Sequence, residues 1–367
     1  MLNFINTYWL IKTKNAFLKL IVMFDGSKCG ICENIDCLTR CQWMSFENVE
    51  EARAEQMKMI NGEESIVLKQ CVTCFGCQEY CLYGSNPFYL KITLMEKYNS
   101  LLIDPGFLDS AIEINEIQED MQLKDIDPNK PVLNKCRLEK SHQKHFQSEL
   151  FNDLQSIGGR NYYCNFVYHH YARASITKKR VAQILSNLKK QGIKEMICFH
   201  EECYQLYSKY CPENDMEIDF KVIHLFKYIH DYLSNNKSRI NKLNMKIAYQ
   251  RPCSSRFVPE SDDWVDKICD LIGVERVNRK YDRQNGLCCS GVFTLIGKKK
   301  LMRKAQNDNI EDMLSNGAEV CVYNCPMCMA AMGFKVGKKG LKNYLLSDLC
   351  KLSLCLLYTS PSPRDRS

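Results

Sequence analysis

The feature that most constrains this chain is its cysteine content, which is 22 cysteines in 367 residues. Many of these cysteines lie only two or three residues apart, which is too close for comfortable disulfides between neighbours and is the spacing of metal ligands. A secreted disulfide scaffold is normally a much shorter chain. The cysteine pattern therefore predicts a cytoplasmic metalloprotein.

Composition sets further limits on function. Apolar residues make up 45% of the chain and charged residues 25%, which supports two or three domain cores and argues against a disordered polyelectrolyte. The net charge of +7 comes partly from the two ends, and the remaining lysines are scattered, so we predict no nucleic-acid partner. We also predict no transmembrane segment, so any membrane association would be peripheral and made through a partner.

Both ends of the sequence stand apart from the rest. Residues 1–22 carry three lysines and no acidic residue, and we interpret them as an extension or a misassigned start, with Met23 as an alternative first residue. Residues 355–367 have no periodicity and read like the translation of a transposon-end sequencing adapter. We therefore interpret this tail as a cloning or assembly scar and give it no part in the predicted fold.

Two groups of four cysteines lie within residues 23–100. They read Cys29-x2-Cys32-x4-Cys37-x3-Cys41 and Cys71-x2-Cys74-x2-Cys77-x3-Cys81. In two-cluster ferredoxins, the fourth cysteine of each run binds the other cluster. That rule predicts two [4Fe-4S] cubes, one held by Cys71, Cys74, Cys77 and Cys41, and the other by Cys29, Cys32, Cys37 and Cys81. The alternative is a pair of four-cysteine zinc sites, which the x2, x2 and x3 steps of the second run disfavour.

The two cysteine groups alternate with predicted helices. Ser45 is a candidate cap for a helix that ends near Gly62, and Asn86-Pro87 is the predicted start of another helix. We therefore predict an α-helical dicluster ferredoxin domain over residues 23–100. Residues 101–150 are polar and contain turn signals, and we predict a connector with some helix there.

An internal repeat predicts the organisation of the second half. When the chain is shifted by 125 residues without a gap, Cys164 falls on Cys289 and Cys203 on Cys328, and a helix–glycine–strand passage keeps its phase. We therefore predict two α/β cysteine-rich repeats, a degenerate one at 151–235 and an intact one at 245–335. The whole chain is then predicted to be an α+β multidomain protein.

The second repeat contains more cysteines than one zinc ion or one cube requires. They are Cys253, Cys288, Cys289, Cys325 and Cys328. Together with the upstream groups, they resemble the heterodisulfide reductase family over about residues 23 to 335. The resemblance is closest to the family's catalytic type of chain, which fuses a dicluster ferredoxin to two cysteine-rich repeats. The iron–sulfur subunits of glycolate, lactate and glycerol-3-phosphate dehydrogenases are similar.

The family repeat reads Cys, then Cys-Cys-Gly, then Cys-x-x-Cys, whereas here Ser290 displaces the glycine by one position. The resemblance implies that the five cysteines bind a noncubane [4Fe-4S] cluster, at which a disulfide is cleaved or electrons are delivered.

The first repeat departs from this pattern. The shift of 125 residues places Tyr163 opposite Cys288, His200 opposite Cys325 and Pro128 opposite Cys253. A four-ligand metal site could still be formed by Cys136, Cys164, His200 and Cys203. The alternative, which the loss of the cysteines favours, is a relic repeat kept for packing.

The sequence thus predicts an iron–sulfur oxidoreductase subunit with two cubes and one noncubane cluster, and the resemblance implies action on a disulfide or heterodisulfide. The alternative is an electron-transfer subunit of a flavin-dependent dehydrogenase, and a zinc-stabilised interaction module is less expected. The sequence has no glycine-rich phosphate loop, so flavin chemistry would belong to a partner. The implied partner is a flavoprotein, a ferredoxin-type donor or a membrane cytochrome.

Overall fold

The computed structural model describes residues 23–116, 126–138 and 143–355. The predicted extension at residues 1–22 lies outside the described residues, and so does the predicted scar apart from the backbone of Cys355. Among the helices of the described part, none is both long enough and apolar enough to cross a membrane.

The first part of the chain is helical, and its short helices alternate with the cysteine groups. A 3₁₀ turn at Gly26–Ile31 comes first, and the helices that follow are α1 Asp36–Thr39, α2 Val49–Ile60, α3 Ile66–Gln70, α4 Gly76–Tyr80 and α5 Pro87–Lys97. The predicted cap Ser45 is wrong, because the side chain of Asn48 accepts the hydrogen bond from the backbone N–H of Glu51 at 2.8 Å. Helix α5 begins at Pro87, as its sequence predicts.

The segment 101–150 is more than a connector. It contains helix α6, Pro105–Glu116, and strand β1, Val132–Asn134. Strand β1 pairs with two later strands, so the first α/β unit begins before the predicted boundary at residue 151. Because β1 has only three residues and all are buried, it shows no alternation that a sequence pattern could reveal.

The first α/β unit contains a four-stranded parallel sheet in the order β2-β1-β3-β4. Its other strands are β2 Gln155–Ile157, β3 Glu195–Cys198 and β4 Lys221–His224. Its helices are α7 Ala174–Lys190, α8 Glu201–Gln205, α9 Cys211–Glu213 and α10 Leu225–Asn235, with a π-helical turn, Leu206–Tyr210, between α8 and α9.

The second α/β unit has the same strand order, β6-β5-β7-β8, and its strands are again parallel. The strands are β5 Met245–Gln250, β6 Val274–Arg276, β7 Val320–Tyr323 and β8 Lys342–Leu345. The helices are α11 Ser261–Ile272, α12 Lys299–Ser315, α13 Pro326–Lys338 and α14 Leu346–Cys355. This unit therefore continues past the predicted boundary at residue 335, because β8 completes its sheet.

A buried cluster of aromatic rings joins the three parts of the chain. Phe75 and Phe88 of the helical part lie with ring centroids 4.5 Å apart. Phe257 of the second unit is 5.2 Å from Phe75 and 5.7 Å from Phe166 of the first unit. Aromatic contacts at these distances add to the free energy of burying the rings. The parts therefore share one core at this point, which we call the aromatic junction.

The aromatic junction contains a buried histidine whose titration should affect stability. His169 stacks on Phe166 with ring centroids 4.1 Å apart, and burial lowers the pKa of His169 to about 3. An unfolded histidine titrates near pH ~6.5, so between these values the unfolded chain binds a proton that the folded protein does not. The folded protein therefore loses stability as the pH falls below about 6.5.

We expect His169→Phe to remove about 1.4 kcal/mol of this acid destabilisation per pH unit. Urea unfolding of the metal-free protein between neutral pH and about pH 5 measures the difference in slope. The control is His230→Phe, because the side chain of His230 is 29% exposed. Equal slopes for the wild type and His169→Phe would contradict a neutral, buried His169.

Candidate metal centres

The five cysteines predicted in the second unit all follow the carboxyl ends of its strands. Cys253 follows β5, Cys288 and Cys289 lie in the loop after β6, and Cys325 and Cys328 follow β7. The carboxyl ends of parallel strands meet at one edge of the sheet, which is where such sheets form their binding sites. The topology therefore brings together residues that are far apart in the sequence.

The sulfur atoms of these five cysteines form a continuous series. The Sγ atoms of Cys253 and Cys288 are 4.0 Å apart. The other thiols follow as interacting pairs, Cys288 with Cys289, Cys289 with Cys328 and Cys328 with Cys325. A hydrogen bond from Cys288, helped by the nearby His170 and opposed by burial, lowers the pKa of Cys253 to about 6. The thiolate form, which binds metal ions, is thus favoured at Cys253.

The turn after the cysteine pair explains why the family pattern has a glycine there. Ser290 has a φ of 63°, which lies in the left-handed region that favours glycine. Its hydroxyl donates to the carbonyl oxygen of Cys288 at 3.0 Å, and its backbone N–H donates to the Cys288 sulfur at 3.3 Å. Serine therefore holds the turn with a side-chain hydrogen bond.

In the first unit, the structure brings three of the four predicted ligands into one group. The sulfur atoms of Cys136, Cys164 and Cys203 are buried and lie within 4.8 Å of one another, and the first two are 3.8 Å apart. Ligand atoms of Cys164, His200 and Glu202 form a second such group. Within the described part of the chain, Nδ1 of His200 is buried and has no hydrogen-bond partner. This convergence favours a metal site over the relic repeat.

The two α/β units meet at a polar wall between their cysteine groups. One carboxylate oxygen of Glu202 lies 3.8 Å from Nε2 of His170, and the other lies 3.7 Å from Nδ1 of His200. Nε2 of His200 is 3.8 Å from the sulfur of Cys325, and His170 contacts Cys253. Neither His170 nor Glu202 follows a ligand spacing, so neither could be recognised from the sequence pattern.

The four cysteines predicted for one cube line a single pocket, and they are Cys29, Cys32, Cys37 and Cys81. The hydroxyl of Ser85 lies 3.6 Å from the sulfur of Cys29 and 3.2 Å from that of Cys81. The fourth cysteine of the second run therefore faces the first run, which is the exchange that a two-cluster ferredoxin requires.

The four cysteines of the other predicted cube are Cys41, Cys71, Cys74 and Cys77. Cys41 lies close enough to each of the other three for their charges to interact. Burial raises the pKa of Cys71 to about 11 and that of Cys74 to about 12. The indole N–H of Trp43 donates to the sulfur of Cys74 at 3.1 Å, and hydrogen bonds to sulfur are one determinant of cluster potential. Trp43 is a further site residue that cysteine spacing alone did not reveal.

A buried lysine lies between these two groups of cysteines, and its surroundings indicate whether negatively charged clusters fit there. The side chain of Lys91 is 2% exposed, and its ammonium donates to the carbonyl oxygen of Cys37 at 3.4 Å. Among the described residues, no carboxylate forms an ion pair with Lys91. A buried ammonium without an anion costs several kcal/mol. Thiolate-ligated clusters carry negative charge, so the residues present fit this cofactor.

Buried ion pairs connect the second cysteine group to the second unit. Glu79, between Cys77 and Cys81, lies 2.7 Å from Arg251 and 2.9 Å from Arg256. Arg251 also pairs with Asp262 at 2.9 Å. The side chains of these residues are at most 10% exposed. Because the two arginines flank Cys253, this network fixes the helical part against the loop that carries the first of the five cysteines.

Comparison with known proteins gives one informative match. The family model described as a cysteine-rich domain, CCG, matches residues 247–333, which lie within the second unit and include all five cysteines. This domain occurs in iron–sulfur oxidoreductases, so the match supports a general redox, iron–sulfur role for the chain.

The remaining comparisons add no functional information. No curated protein matches the chain. The structure is similar to that of glutamate racemase isoform RacE1 from Bacillus anthracis, at 10% sequence identity and a TM-score of 0.32. That similarity covers 62% of this chain and 81% of the racemase chain, and at this TM-score it indicates neither fold nor function.

Proposed function

We propose that this protein is a subunit of an iron–sulfur oxidoreductase that reduces a disulfide or heterodisulfide. The observation that carries the proposal is the convergence of five cysteine sulfurs at one sheet edge, inside the segment that matches the cysteine-rich domain. Five thiolates exceed the four ligands of a structural zinc site or of a cubane cluster, so the site suits a cluster that takes more than four thiolate ligands.

The proposal assigns a cofactor to each group of cysteines. The two groups in the helical part would each hold one [4Fe-4S] cube, and the five cysteines of the second unit would hold a noncubane four-iron cluster. Bound clusters would supply one-electron transfer between an external donor and the disulfide. The chain itself fixes the cysteine groups relative to one another through the aromatic junction and the Glu79 ion pairs.

The proposed reaction balances as one disulfide plus two electrons and two protons giving two thiols. The two electrons would come from a flavoprotein or a ferredoxin-type donor. On the protein side, the wall of His170, Glu202 and His200 places hydrogen-bonding groups beside Cys253 and Cys325. A thiol released there would have polar partners in an otherwise buried environment.

The first unit would hold a single metal ion rather than a second large cluster. Bonds of about 2.3 Å between zinc and sulfur give a tetrahedron with edges of about 3.8 Å, and the Cys136 and Cys164 sulfurs are 3.8 Å apart. Cys203 belongs to the same group of three sulfurs, and His200, whose ligand atom groups with that of Cys164, would be the fourth ligand. A mononuclear site here leaves only one noncubane centre, which also suits the alternative function, an electron-transfer subunit of a flavin-dependent dehydrogenase.

The experiment that tests the function uses protein purified without oxygen and reconstituted with iron and sulfide. We expect a brown protein that oxidises reduced methyl viologen when a heterodisulfide is added, with two dye equivalents consumed per disulfide. A brown protein that passes electrons to a quinone or flavoprotein but leaves disulfides intact would favour the electron-transfer subunit. A colourless protein that binds only zinc would contradict both redox functions.

A further inference from the structure

Lys91 is a buried cation at the centre of the helical part. We propose that Lys91 is the internal counter-ion of the two predicted cubes and that its positive charge raises their reduction potentials. The proposal rests on the proposed function, because it requires both cubes to bind where the two cysteine groups place them.

The position of Lys91 puts its charge beside both groups. It lies in the middle of α5, which is buried along most of its length. Its ammonium donates to the backbone of Cys37, a predicted ligand of one cube. It also contacts Cys77, and its charge acts on Cys71 and Cys41, which are predicted ligands of the other cube.

The surroundings of Lys91 leave its positive charge to be balanced by the cysteine groups. The residue is only 2% exposed, so water screens this charge little. No described carboxylate forms an ion pair with Lys91. The negative charge that balances the ammonium therefore comes from the cysteine thiolates and from the clusters proposed to bind to them.

A fixed positive charge has a defined effect on a nearby redox centre. Reduction adds one electron, and a cation in contact stabilises the more negative, reduced state, most strongly in a buried environment. Removing the charge should therefore lower the reduction potential of both cubes. The larger change should occur at the cube held by Cys41, Cys71, Cys74 and Cys77, because three of the four cysteines near Lys91 belong to it.

The test compares Lys91→Met, which keeps the length and removes the charge, with Lys91→Arg, which keeps the charge. Lys97→Met is the matched control on the same helix, because Lys97 donates to the carbonyl oxygen of Gly62 at 2.9 Å, in the loop after α2. Each protein is reconstituted without oxygen, assayed for iron, and titrated with dithionite while the reduced cubes are followed by electron paramagnetic resonance.

We expect the ratio of reduced to oxidised cube at a fixed potential to fall at least tenfold in Lys91→Met, which corresponds to about 59 mV for a one-electron couple. Lys91→Arg and Lys97→Met should stay close to the wild type. If Lys91→Met binds no iron while Lys91→Arg binds it normally, the charge is required for assembly, which also supports the proposal.

Two results would overturn the proposal. One is a wild-type potential in a Lys91→Met protein that has bound both cubes. The other is loss of iron in both Lys91 variants, which would show that shape rather than charge matters. Failure of the proposed function gives a different result. A wild-type protein that binds no cubes would overturn both proposals, whereas a brown wild-type protein that leaves disulfides intact would overturn only the disulfide reduction, and the potentials of Lys91→Met would still test the role of the charge.

Discussion

Replacing Cys288 with alanine should lower the iron content of the reconstituted protein from about twelve atoms per chain to about eight. Cys288 lies in the middle of the sulfur series, next to both Cys253 and Cys289, so its loss breaks the five-thiolate site. The two cubes should survive, because their eight predicted ligands lie in the helical part. Iron analysis and spectroscopy of the oxidised and reduced protein measure the change.

The matched variant is Cys164→Ala, at the corresponding position of the first unit. If the first unit holds one metal ion, this variant should lose about one equivalent of metal per chain. The iron of the two cubes and of the noncubane cluster should stay at the wild-type value. Wild-type metal content in Cys164→Ala would restore the relic interpretation. Equal iron loss in the two variants would instead indicate a second large cluster, and full iron in Cys288→Ala would remove the noncubane site from the proposed function.

Replacing Glu79 with alanine should destabilise the metal-free protein by about 3–5 kcal/mol, because it leaves two buried arginines without their shared carboxylate. This loss of stability should lower the urea concentration at the midpoint of unfolding. The control is Glu64→Ala, which breaks the Lys69 ion pair, where both side chains are about half exposed or more. Exposed pairs contribute at most about 1 kcal/mol.

The Glu79 variant also tests how the helical part is held. If the ion pairs fix the helical part against the second unit, the Glu79→Ala protein should be cleaved near Arg251 at protease concentrations that leave the wild type intact. A loss of less than about 1 kcal/mol would mean that water or other groups compensate the arginines, and that the aromatic junction alone holds the parts together.

The repeat could be predicted from the sequence because part of it keeps strict spacing. Helices α7 and α12, and strands β3 and β7, are related by the shift of 125 residues without a gap. The first strands are not, since β1 and β5 precede connections of different length. The ungapped shift therefore placed Pro128 opposite Cys253, whereas in the structure Cys136 is the cysteine that follows β1.

Other parts of the site could not be predicted because they depend on contacts between distant segments. Nothing in the spacing of Lys91 distinguishes it from a surface lysine of an amphipathic helix, yet it is buried. Glu79 likewise reads as a helix residue between two ligands, and its arginine partners lie more than 170 positions away. Cysteine spacing predicted which residues could bind metal, but the groups that set charge and position became visible only in three dimensions.

The aromatic junction has a consequence for how the chain matures during synthesis. Phe75 and Phe88 are made early, but the rings that cover them belong to residues 166 and 257. While the ribosome is still making the second half, the helical part must therefore expose these rings and is open to aggregation. We expect its cysteines to be loaded with iron only after most of the chain has emerged, so that assembly of the cofactors follows translation rather than accompanying it.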